Sequence, residues 1–112
     1  MRLYTRYLGI VLVLFAVFFR TLEITAYTPN EAPNRTASGL WPEMGVTCAA
    51  DYIAGMKVPF GTRIEVPGMG EYIVQDRFGA GHNDRVDLFM MSLNDALRWG
   101  RRTLNCRVVT PD

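Results

Sequence analysis

Three aspartates stand where the surrounding residues would not predict a carboxylate. Asp51 follows the apolar run VTCAA, Asp76 ends EYIVQ, and Asp87 lies inside RVDLFM. Strand alternation puts Val86 and Leu88 on one face, and Arg85, Asp87 and Phe89 on the other. A carboxylate flanked by Val, Leu and Phe is either paired, for example with Arg85 or Asp76, or held protonated by desolvation. The second state is that of a general acid; the first is a structural aspartate, and the pattern admits both. The single histidine, His82, sits in the Gly-rich stretch GAGHND and reads as solvated. There is no Ser/His/Asp order, P-loop or dinucleotide fingerprint. Cys48 and Cys106 belong to no CxxC or Cys/His cluster, so neither a metal site nor a cofactor is expected.

The elements that hold these residues are short strands broken by Gly, Pro and Asn. Leu22–Thr28, Val46–Ala50, Thr62–Gly68, Gly70–Asp76, Arg85–Met90 and Leu104–Thr110 are six strand candidates, which together predict an all-β-dominated small barrel. One short helix interrupts them. Ser92 is placed to cap it, Asp95 falls in its first turn, and Gly100 is placed to end it, with Arg98, Arg101 and Arg102 near its negative pole. The basic cluster RWGRR therefore has a structural explanation. With 112 residues there is room for one small domain and no second cofactor-binding one.

The amino terminus sets the compartment. Leu8–Phe19 is an unbroken apolar run between the basic stretch MRLYTRY and Arg20, the layout of an export signal. As a helix it spans about 18 Å, short of a ~30 Å hydrocarbon core unless Tyr4, Tyr7 and a snorkelling Arg20 extend it. No convincing small-x-small cleavage site follows, so a cleaved signal and a short retained anchor both fit, and a buried core helix is a third reading. Residues 1–21 are assigned to this hydrophobic helix and 22–112 to the barrel. The protein is expected to be exported to the periplasm, cell envelope or exterior, held at the membrane if the segment persists. In an oxidising compartment Cys48 and Cys106 could close a disulfide; otherwise they are small buried hydrophobes. From Thr21 onward nine basic residues face eleven acidic ones with no basic stripe, so nucleic acid is not an expected partner.

In order along the chain, TAYT (Thr25–Thr28), TASG (Thr36–Gly39), Asp51, VPFGT (Val58–Thr62), VPGMG (Val66–Gly70), VQD (Val74–Asp76), RVDLF (Arg85–Phe89) and ALRWGRR (Ala96–Arg102) resemble the 3D domain, named for three aspartates. That family is a double-psi β-barrel similar to the catalytic barrel of membrane-bound lytic transglycosylase A and to expansin and rare lipoprotein A barrels. The resemblance implies action on peptidoglycan glycan strands. It implies Asp87 as the catalytic acid with Asp76 orienting it or raising its pKa, and Asp51, Thr25, Tyr27 and Thr36 as groove residues. Transglycosylase-like members carry a loop resembling DTGGAIKGNRID where this chain reads DRFGAGHNDRVD (Asp76–Asp87), so the acid spacing is kept and the sugar-contacting loop altered.

A lytic transglycosylase suits a chain with one conspicuous acid, because the muramyl 6-hydroxyl of the substrate itself attacks the anomeric carbon. A single carboxyl can give and retake the proton, whereas a hydrolase generally needs two. The expectation is a lytic transglycosylase-like lyase. The alternative is a non-catalytic, expansin-like barrel whose groove holds peptidoglycan without cutting it, and an anchored structural module is a third class. Tyr27, Trp41 and Phe78 could each stack on a sugar face or belong to the core.

Overall fold

A computed structural model describes residues 16–31 and 34–111. The expected amino-terminal hydrophobic helix lies outside these residues, apart from its end. Strand β1 runs Val17–Tyr27, so the last residues of the apolar run enter the barrel as strand. The other elements are β2 (Thr47–Ala49), β3 (Tyr52–Ile53), β4 (Met56–Lys57), β5 (Arg63–Val66), β6 (Gly70–Asp76), β7 (Arg85–Phe89), helix α1 (Leu93–Trp99) and β8 (Arg102–Val109). Among the described residues no helix is long and apolar enough to cross a membrane.

Six strands close a barrel in the order β1-β7-β2-β6-β5-β8. The β1/β7 and β2/β6 pairs are parallel and the rest antiparallel. Leu22 and Ile24 of β1, Ile64 and Val66 of β5, Val74 of β6, Val86 and Leu88 of β7 and Val108 of β8 fill the interior. That is the period-two reading of each strand realised on one curved sheet. Cys48 and Cys106 are free, buried thiols, and burial pushes the Cys106 thiol up to about 11.

Helix α1 forms as its flanking residues dictate. Ser92 Oγ accepts from the Asp95 N–H, and Gly100 takes the positive φ of 65° that lets its N–H reach the Ala96 carbonyl. Trp99 is the buried residue of the helix and donates its indole N–H to the Ile24 carbonyl at 3.1 Å, which ties α1 to β1.

The β3–β4 hairpin is an addition to the six expected strands. Ala54 and Gly55 both have positive φ, 52° and 76°, as the two-residue loop joining β3 to β4 requires. The hairpin is pinned by Asp84 and Asn83, whose side chains accept the N–H groups of Ala54 and Gly55 at 2.9 Å each. Asp84 also receives Arg20 of β1 in a bidentate pair at 3.1 and 2.8 Å. The Arg20 guanidinium holds the Asp84 carboxyl below the usual carboxylate range.

Candidate functional site

Strand register assembles the site. Thr25 of β1 is level with Asp87 of β7, Asp87 with Ala49 of β2, and Ala49 with Asp76 of β6. Four residues distant in sequence thus form one row across four adjacent strands, with the parallel pairs at its two ends. A bulge between Cys48 and Ala49 shifts the register so that Asp76 comes level with Ala49. Ala49 has only a methyl group between the two aspartates and leaves space there. The result is an open cleft of about 200 Å³ lined by Tyr27, Glu31, Ala49, Asp76, Arg77, Phe78 and Asp87.

Asp87 accepts the Thr25 hydroxyl at 2.7 Å on Oδ1. Its pKa is raised above the ordinary carboxylate value, chiefly by burial. The Thr25 hydrogen bond opposes that rise, Glu31 adds to it, Arg85 opposes it, and Asp76 adds to it. Asp76 is heavily committed: Oδ1 accepts the N–H groups of Ala37 and Arg77 at 3.0 and 2.9 Å, and Oδ2 accepts the Tyr27 hydroxyl at 3.2 Å. Burial, then the charge of Asp76 and that hydrogen bond, push the Tyr27 phenol pKa up. The Tyr27 ring packs edge-on to Phe89 at 5.3 Å between centroids, and with Ala49 these form a small apolar floor.

The remaining residues expected at the site stand apart from this row. Asp51 is 5% exposed and accepts three loop N–H groups, those of Phe78 (2.9 Å), Gly79 (3.5 Å) and His82 (3.0 Å). It shapes the loop that carries Phe78 to the cleft wall. The buried Thr36 spends its hydroxyl on the Leu40 carbonyl and Ser38, holding the TASG turn whose Ala37 N–H meets Asp76. Trp41 is exposed, with the Arg35 guanidinium 5.1 Å from its ring, and does not line the cleft. His82 packs edge-on to Phe78 at 5.0 Å. Glu31, Ala49 and Arg77 were not expected as site residues. Arg77 turns its guanidinium to the Ala50 carbonyl at 2.7 Å and over Phe60 at 4.1 Å. Among the described residues no group of three metal-ligating side chains occurs.

The fold and cleft define a small closed six-stranded β-barrel with an acid-lined, aromatic-edged groove on its outer surface. Its likeness is to cell-wall-associated proteins. Over 91 residues it is 30% identical to the cell wall-binding protein YocH of Bacillus subtilis (strain 168), covering 80% of this chain and 32% of that protein. It is 25% identical over 91 residues to YabE of the same strain, named for a cell-wall-shaping role that is itself a proposal, covering 80% of this chain and 22% of YabE. The chain spans a third or less of the length of these curated relatives. No family model matches it.

These relatives correct the expectation of a lytic transglycosylase-like lyase, because both are named for binding or shaping wall and neither for cleaving it. The carboxyl that would have to carry a proton is a hydrogen-bond acceptor for Thr25, and its expected helper, Asp76, is occupied by Ala37, Arg77 and Tyr27. The Thr25 bond favours the ionised form of Asp87 but burial outweighs it, and three donors make Asp76 a loop anchor.

Proposed function

We propose that the protein is a non-catalytic, exported glycan-binding barrel of the three-aspartate, double-psi type that holds peptidoglycan strands in the cleft between Tyr27 and Phe78. The observation that carries this reading is the row Thr25–Asp87–Ala49–Asp76, which sets two carboxylates on either side of a gap roomy enough for a sugar ring. Carboxylate oxygens accept hydrogen bonds from sugar hydroxyls, and the partly exposed Phe78 ring offers an apolar face. Glu31, Asp76 and Asp87 against Arg77 make the groove net acidic, which favours a neutral hydroxyl-rich strand over a phosphate polymer. The motif order and the two parallel pairs in a closed six-stranded barrel support the likeness to three-aspartate and expansin barrels. The wall-binding relative supports the partner. Retention of residues 1–15 would hold the groove at the membrane face.

The test is cosedimentation of the full-length chain with purified peptidoglycan, followed by mass spectrometry of the supernatant. Saturable retention without soluble fragments is expected. Asp87→Ala and Phe78→Ala should each weaken retention about ten-fold, the loss of one charged hydrogen bond or one stacking face. Retention that neither variant changes, or release of soluble muropeptides, overturns the reading.

A further inference from the structure

Beside the groove, on the far side of Phe89, lies a second cavity of about 280 Å³. Its walls come from Met44, Met69, Tyr72, Trp99, Arg98 and Arg102, with Phe89 forming the edge nearest the groove. Phe89 is the ring that packs against Tyr27, so the two spaces are separated by one aromatic pair. The cavity joins an apolar wall to a basic rim. Tyr72 is 3% exposed and forms part of the apolar wall. Arg98 and Arg102 are exposed at the rim and make no ion pair among the described residues, and Arg102 is held in place by the Trp99 carbonyl at 3.1 Å and by the Trp99 ring at 4.0 Å. Asp95 also borders the cavity, leaving two guanidiniums against one carboxylate.

An apolar pocket rimmed by a surplus guanidinium matches a short chain of small apolar residues that ends in, or carries, a carboxylate. We infer that this cavity binds the peptide stem of the cell-wall polymer, with a stem carboxylate on Arg98 and Arg102 and small side chains against Met44, Met69 and Trp99. The inference rests on the glycan reading of the neighbouring groove and gives that reading a second contact: the sugar strand lies over Asp76 and Asp87, and its branch passes Phe89 into the cavity. Arginine suits the task because its planar fork pairs both oxygens of a carboxylate. The charge contrast between the two spaces, acidic under the sugar and basic under the branch, fixes which part of the polymer lies where.

The experiment uses the full-length chain carrying Trp41→Phe, so that Trp99 is the only indole. Titration with trialanine bearing a free carboxyl end should shift Trp99 emission saturably. The carboxamide of the same peptide, and the free peptide with Arg98→Ala, should each bind about ten-fold more weakly. An unchanged emission, or equal affinity for acid and amide, overturns the inference. Cosedimentation separates the two readings. The inference predicts tighter retention on intact peptidoglycan than on strands stripped of peptide, with Arg98→Ala removing only that excess. Equal retention on both, insensitive to Arg98→Ala, overturns the stem site and leaves the groove intact. Retention that needs the peptide, with none on stripped strands, supports the stem site and overturns the groove reading.

Discussion

Replacing Asp51 by asparagine changes one atom's chemistry at the point where the Phe78–His82 loop is fastened. Oδ1 of Asp51 serves the Phe78 and Gly79 N–H groups and Oδ2 serves His82. An amide can keep only one of these acceptors. Holding the Phe78 side turns its NH2 toward the His82 N–H at a position 5% exposed, and flipping it gives up two bonds to keep one. The lost charge-assisted bond costs ~1.5–3 kcal/mol, and a buried donor facing a donor raises the total to about 2–4 kcal/mol. In a domain of this size each kcal/mol moves the midpoint by ~4–8 °C, so Asp51→Asn should melt roughly 8–30 °C below wild type. Thermal denaturation by circular dichroism at pH 7, repeated as a urea titration, measures this. A midpoint within about 2 °C of wild type would refute the assignment of Asp51 as the anchor of the loop.

Asp87→Asn should move stability the other way. The raised folded pKa of Asp87 means the native state binds its proton more tightly than the unfolded chain. That contribution is complete below the ordinary carboxylate range and is lost as pH rises through the raised folded value. The asparagine oxygen can still accept from Thr25, so the variant should melt above wild type at pH 7, with the gap closing on acidification. A gap of opposite sign would show Asp87 to be a net structural anion. Removing residues 1–21 deletes the β1–β8 pairs from Val17↔Val109 to Thr21↔Asn105 and the Arg20–Asp84 pair. At ~0.5–1 kcal/mol per hydrogen bond, a loss of roughly 3 kcal/mol is expected in urea unfolding, and an unchanged midpoint would place the start of the domain after Thr21. Ala54→Asn should gain about 0.5–1 kcal/mol, because asparagine tolerates the left-handed φ of 52° better than alanine while the N–H to Asp84 is kept; thermal melting that shows no gain contradicts it.

What could be read from the sequence followed from period. Alternation at Leu22–Ala26, Ile64–Val66 and Val86–Leu88 located the barrel strands, and the Ser92, Asp95 and Gly100 positions located the helix. The amino end of β1 was hidden, since Val17–Phe19 continue an unbroken apolar run in which alternation has no contrast. The β3–β4 hairpin was hidden because two-residue strands have no period and Ala-Gly is a weak turn signal. Asp76 and Asp87 were conspicuous as carboxylates among apolar residues. Their separation by a single methyl group was not, because Ala49 comes level with both only through a parallel pairing and a bulge set by tertiary structure. Glu31 and Arg77 escaped for the same reason. The family pattern pointed to a wall polymer, but binding and cutting share those motifs. What separates them here is the comparison with relatives named for binding or shaping wall, which the motifs alone do not carry.

The row across β1, β7, β2 and β6 draws its four members from distant stretches that meet only when three strand pairings have formed. A slip of one residue in any of these strands would turn that member to the opposite face. The proposed groove is therefore a property of the paired sheet, and no one of its segments holds it alone.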